Sequence, residues 1–151
     1  MKFIISLLMI FGLTGCASSK DLTRLVLVIP ADFKGEIFIA GDPKNGQDAK
    51  SGQIMVPASG LAFVKSLPDV AKIKPESFIA QDAKGKKLGN SILKTGKEVS
   101  LWPVTYVENE LLYFVVGTFD TKTDRENEKM NSGWFSTISW VNSERAKPSH
   151  E

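Results

Sequence analysis

The residues of this chain that could carry chemistry are few, and the first to weigh is its single histidine. His150 is next to the last residue, where holding an imidazole in a hydrogen-bonded triad or a metal site is difficult, so the sequence argues against histidine-based catalysis. No H-E-x-x-H, G-x-S-x-G, P-loop or paired-cysteine motif occurs, which leaves zinc binding, acyl transfer by the usual route and nucleotide phosphate binding without support. A Ser-Lys or carboxylate-pair enzyme stays open, because such groups are spread over any charged surface and spacing selects no pair. The best set of oxygen ligands is Asp120-x-Lys122-x-Asp124-x-Glu126-x-Glu128. It departs from the calcium-loop pattern, with Lys122 at the third position and Arg125 where the sharp turn needs glycine. A solvated helix start, whose dipole favours acidic groups, accounts for the run, and we expect neither metal nor cofactor. The expectation is that the protein is not an enzyme.

Aromatic residues give the one positive sign of recognition. Trp102, Tyr106, Tyr113, Trp134, Phe135 and Trp140 gather in the C-terminal third. Tyrosine and tryptophan combine apolar area with a polar handle and are enriched where proteins meet partners or sugars. Core packing is the competing account of the same rings. If two of them are exposed side by side, the choice falls on Trp134 and Trp140 as a binding surface.

Positioning elements begin at the N-terminus. Met1 and Lys2 give a short positive segment, and Phe3 to Leu13 (FIISLLMIFGL) supply a nearly unbroken apolar run. That is the form of a signal-peptide core, and it falls short of the roughly 20 apolar residues of a permanent span. Cys16 is the only cysteine, so an exported domain has no internal disulfide. The residues Leu13-Thr14-Gly15-Cys16 resemble the bacterial lipobox, which implies cleavage before Cys16, diacylglycerol on its thiol and anchoring by lipid such as palmitate. Two other readings compete for these residues: ordinary secretory cleavage after Ala17, and an uncleaved buried helix. With Ala17 rather than Asp after the cysteine, the lipoprotein reading implies the outer membrane of a diderm or the outer face of a monoderm's plasma membrane.

The expected organisation is therefore a signal peptide over 1–15, a lipidated tether over 16–22, one domain over 23–141 and a disordered polar tail over 142–151. Cleavage leaves 136 residues, enough for one domain with a real core. Lys2 leaves with the leader, so 18 basic residues face 17 acidic ones. That balance argues against nucleic-acid binding, and the longest basic run, Lys84-Gly85-Lys86-Lys87, reads as a solvated turn.

Short apolar segments bounded by Gly, Pro, Asp or Asn fill the domain. Arg24–Ile29, Glu36–Ala40, Gln53–Val56, Leu61–Lys65, Ser77–Gln81, Glu98–Leu101, Val104–Val107 and Leu111–Val116 read as strands, with a bend or bulge at Trp102-Pro103. Phe38-Ile39-Ala40-Gly41-Asp42 recurs as Phe78-Ile79-Ala80-Gln81-Asp82; strands running into Asp-led turns explain this echo more simply than a repeat does. Thr123-Asp-Arg-Glu126 reads as a capping box for one short helix near 124–131, ended by Gly133. Trp134–Val141 (WFSTISWV) reads as a last strand, with helix as the alternative.

Three further stretches carry a resemblance: Ile29-Pro30 with Phe33-Lys34-Gly35, then Val56-Pro57-Ala58-Ser59-Gly60, then Tyr113-Phe114-Val115-Val116-Gly117-Thr118. Together they resemble uncharacterised bacterial lipoprotein domains of the transthyretin or carboxypeptidase-regulatory type. This implies a mainly β fold, a single antiparallel β-sandwich with one short C-terminal helix, and it brings no catalytic residue. The expected role is a membrane-anchored envelope module that binds a protein or glycan or is structural. The alternative is an envelope enzyme or hydrolase inhibitor presenting Asp42–Gln53 or Ser132–Ser139 as a loop tip.

Overall fold

Leu25, Leu27 and Ile29 are buried while Val26 and Val28 are half-exposed, the period-two pattern of a strand with one face inside. This is β1 (Leu25–Ile29). The computed structural model describes residues 23–89, 97–107 and 111–147, with backbone only at 104–107. The leader, Cys16, the tether and His150 lie outside the described residues. After β1 come β2 (Gly35–Gly41), β3 (Gln53–Met55), β4 (Leu61–Val64), α1 (Leu67–Ala71), β5 (Phe78–Asp82) and β6 (Lys87–Leu88). The chain continues through β7 (Ser100–Val107), β8 (Leu111–Gly117), α2 (Phe119–Ser132) and α3 (Phe135–Arg145).

Two four-stranded sheets result, ordered β3-β1-β5-β6 and β4-β2-β8-β7. The expected antiparallel arrangement is corrected to a mixed one: β1 runs parallel to β3 and β5, and β2 parallel to β4, while β8 is antiparallel to both β2 and β7. The reason lies in the connections. From β1 to β5 each link carries the chain into the other sheet, so strands of one sheet alternate with strands of the other. Where each crossing reverses direction, every second strand runs the same way. Turn chemistry in the sequence marks a reversal without saying whether the next strand stays in the sheet or leaves it.

One buried cluster draws Leu27, Ile29 and Ile54 from the first sheet and Ile37, Ile39, Val64, Phe114 and Val116 from the second. A second cluster lies on the other face of the second sheet, where Phe38, Ala40, Leu111, Tyr113 and Val115 meet Val141. β8 is buried on both faces, which explains its unbroken apolar sequence. β7 shifts register between Pro103 and Thr105, where the sequence placed a bend. The echo is also explained. Asp42 accepts the amides of Lys44 and Asn45, each at 3.0 Å, and Asp82 those of Lys84 and Lys86 at 2.9 and 2.8 Å. The two strands involved belong to different sheets.

The C-terminal region holds two helices instead of one. α2 starts earlier than the capping-box reading placed it: Thr118 is the N-cap, its Oγ1 accepting the Thr121 amide at 3.3 Å. Thr123 donates back to the Phe119 carbonyl at 3.0 Å and caps nothing. Gly133 ends α2 with φ +70°, a conformation suited to glycine. Trp134–Val141 is not a last strand but the start of α3, running on through Arg145 past the expected domain end. Trp134, Thr137, Ile138 and Val141 form its inward stripe, spaced at i, i+3, i+4 and i+7 as one face of a helix requires, and Trp140 packs at the edge of that face.

Candidate functional site

The alternation of β2 that sends Ile37 and Ile39 inward puts Glu36, Phe38 and Ala40 on the face covered by the helices. Register then sets Phe38 opposite Tyr113 of β8. Their rings stack with centroids 5.3 Å apart and planes 16° from parallel. The Tyr113 hydroxyl reaches diagonally to donate to Glu36 Oε1 at 2.8 Å.

Lys129 descends from α2 onto the same carboxylate, with Nζ 3.5 Å from Glu36 Oε1. The ammonium also donates to Thr137 Oγ1 of α3 at 3.3 Å and lies 5.5 Å from the centre of the Phe38 ring. Two other ion pairs of α2 are local, Lys122 with Glu126 and Arg125 with Glu128. Lys129 alone of these ties a helix to the sheet. Tyr113 is 1% exposed, and its acidity falls accordingly: burial raises its pKa well above the usual 10, and the hydrogen bond to Glu36 and that residue's charge raise it further.

Beside this cluster opens a groove of about 390 Å³. The rings of Phe33, Phe38 and Trp140 line it, with the polar groups of Glu36, Ser59 and Lys129; Lys34, Ala58 and Thr137 border it. Ala58 and Ser59 reach the groove because the turn Pro57–Gly60 is pressed against β2. Gly60 donates to the Pro57 carbonyl at 2.9 Å, and its own carbonyl accepts the Phe38 amide at 2.8 Å. Gly60 holds φ +79°, and a Cβ there would stand 2.2 Å from the Glu36 carbonyl oxygen.

The two sequence-chosen tryptophans are both half-buried against the sheet and not exposed side by side. Trp134 sits edge-on to Tyr113 at 5.2 Å and Trp140 edge-on to Phe38 at 5.7 Å. Trp140 borders the groove and Trp134 is not among its lining residues. Trp102 is buried, donating Nε1–H to the Gly117 carbonyl at 2.9 Å. Phe135 is 85% exposed. Of the two loops considered as inhibitor tips, Ser132–Ser139 is largely helix, and in Asp42–Gln53 the Asp42 carboxylate is spent on its own turn. Asp42 is held below the usual carboxylate range chiefly by the Asn45 amide.

Sequence reasoning missed Glu36, Phe38, Lys129, Thr137 and Phe33. The period-two pattern of β2 could have put Glu36 and Phe38 on one face, but no spacing could have brought Lys129 to them.

No family model matches the chain, and no curated protein matches it. A solved structure from Bacillus anthracis, assigned as a lipoprotein, aligns over 64% of this chain and 71% of its own at 12% identity, with a TM-score of 0.33. A likeness that slight carries neither fold nor function. No helix among the described residues is long and apolar enough to cross a membrane.

Proposed function

We propose that this protein is a lipid-anchored envelope lipoprotein whose domain is a non-catalytic binding module, taking its ligand in the groove between β2, the Pro57–Gly60 turn and the helices. The lipobox-like Leu13-Thr14-Gly15-Cys16 supports the anchor and the location. The cluster shared by the two sheets supports reading them as a sandwich, with α2 and α3 as a third layer.

The observation that carries the binding role is the composition of the groove. Three rings and a few polar groups converge there in a volume suited to small ligands. Its ionic groups hold one another: Glu36 Oε1 takes Tyr113 and Lys129, and Lys129 is divided among Glu36, Thr137 and the Phe38 ring. Such a set holds its polar groups in fixed orientation, which suits positioning a ligand.

The test is retention on envelope material. Full-length protein in detergent is passed over immobilised cell-wall and outer-membrane fractions beside Ala58→Arg, which fills the groove from an exposed position. Retention of the parent and its loss in the variant is the expected result. Equal retention of both would remove the groove from the function.

A further inference from the structure

We infer that the ligand of this groove is a neutral saccharide, a class that the groove's mixture of groups selects; this rests on the binding role proposed above. Sugars present two kinds of surface, an apolar face of C–H bonds and an equatorial ring of hydroxyls that both donate and accept. A site for them needs an aromatic wall and polar groups of both kinds. Trp140 and Phe33 supply the wall, with Phe38 buried behind them and stacked on Tyr113. Trp140 is half-buried, and its contact with Phe38 is edge-on.

Glu36 supplies a fixed acceptor. Its Oε1 is held by the Tyr113 hydroxyl at 2.8 Å and approached by Lys129 at 3.5 Å, while Oε2 has no hydrogen-bond partner among the described residues. The carboxylate is thus oriented through one oxygen and leaves the other for a ligand hydroxyl. A hydrogen bond to an ionised acceptor is stronger than one between neutral groups. The hydroxyl of Ser59 adds a group that donates or accepts, and the exposed ammonium of Lys34 adds a donor at the mouth.

Charge decides between neutral and acidic sugars. Glu36 and Lys129 offset one another inside the groove, so an acidic sugar loses the hydration of its carboxylate there without an unpaired cation to replace it. Lys34 is exposed at the mouth, where water screens its charge. A neutral sugar has no such charge to desolvate.

The experiment titrates full-length protein in detergent with three probes: a tetramer of N-acetylglucosamine, a tetramer of galacturonate and an amphipathic peptide, followed by tryptophan fluorescence. Neutral tetramer binding is expected, with the acidic one at least ten-fold weaker, and Ala58→Arg and Trp140→Ala each lowering neutral affinity about ten-fold or more. Glu36→Gln keeps an acceptor oxygen but removes the charge, so it narrows the gap between the two sugars. Because Trp140→Ala also removes packing, the exposed Ala58→Arg variant carries the decision if that protein misfolds. Tighter binding of the acidic tetramer or of the peptide, or no binding of either sugar, overturns the saccharide inference. The binding module itself survives those outcomes if retention on envelope fractions still depends on position 58, and falls only if it does not.

Discussion

Raising the pH tests the buried hydrogen bond on which the site is built. The Tyr113 hydroxyl is closed off from water and faces the Glu36 carboxylate, so the phenolate is disfavoured and the folded pKa lies well above 10. Above pH 10 the unfolded chain gives up this proton while the folded chain keeps it. The unfolded state then binds fewer protons, and the free energy of unfolding falls as pH rises. The stabilisation is whole below pH 10 and is lost progressively toward the folded pKa. With one proton at stake the limiting slope is about 1.4 kcal/mol per pH unit, and the loss between pH 9 and 11 is about 1.4 kcal/mol. Tyr113→Phe removes this term, and at neutral pH it costs about 1–2 kcal/mol for the missing hydrogen bond to a charged acceptor. Urea unfolding of the two proteins at pH 7, 9, 10 and 11, followed by tryptophan fluorescence, gives the difference directly. The gap should shrink by about 1.4 kcal/mol from pH 9 to 11. A gap that stays constant would mean that folded Tyr113 ionises as freely as unfolded tyrosine, and the buried contact with Glu36 would be refuted.

Other expectations address the anchor, the turn and the acidic cap. Cys16→Ala should abolish fatty-acid labelling and release the protein from membranes; labelling that persists in the variant counts against the lipobox reading. Gly60→Ala and Gly52→Ala share a positive φ, of 79° and 77°, but a Cβ meets the Glu36 carbonyl oxygen at 2.2 Å in the first and nothing within 4 Å in the second. Backbone strain alone should cost Gly52→Ala about 1–2 kcal/mol, and Gly60→Ala about 2 kcal/mol more, measured by urea midpoints. Similar costs at both positions would show that the turn is not pressed against β2. Asp42 is held below its usual 3.8 by the Asn45 amide first, then against burial by the Lys44 amide and the Asn45 side chain, with Arg145 adding attraction. Its contribution is present above pH 3.8 and lost as pH falls through the lower folded value, so the stability gap to Asp42→Ala should close between pH 5 and 2. A gap independent of pH would contradict the capping geometry.

Local pattern and topology were not equally legible in the sequence. Val26 and Val28 flank buried neighbours in strict alternation, and the unbroken run Leu111–Val116 fits a strand covered on both sides, so these strands are readable as written. Sheet membership is not, because the chain's passage from one sheet to the other between β1 and β5 uses the same turn residues as a hairpin. The segment 134–141 is a different case. Its helical stripe, Trp134, Thr137, Ile138 and Val141, is present in the sequence, but Phe135 and Trp140 lie off it and mimic the apolar density of a strand. Phe135 proves to be exposed, so its apolar character marked no buried face.

The site shows why long-range chemistry was hidden. Glu36 and Tyr113 are 77 positions apart, and their meeting depends on the antiparallel register of β2 and β8. Lys129 joins them only because α2 lies across the same sheet face, and α2 has no buried residue of its own to announce that face. Its attachment rests on small contacts: Thr121 fits where Gly117 lacks a side chain, Phe119 meets Trp102 edge-on at 5.7 Å, and the Lys129 ammonium settles over Phe38 beside Glu36. A helix polar on all sides is held to a sheet by such anchors and not by an apolar stripe. The groups that line the groove are therefore also those that fasten the helix bordering it. Removing the Tyr113 hydroxyl loosens the carboxylate that Lys129 needs, so stability and ligand affinity should fall together in Tyr113→Phe, whereas Ala58→Arg, at an exposed position, should separate them by lowering affinity alone.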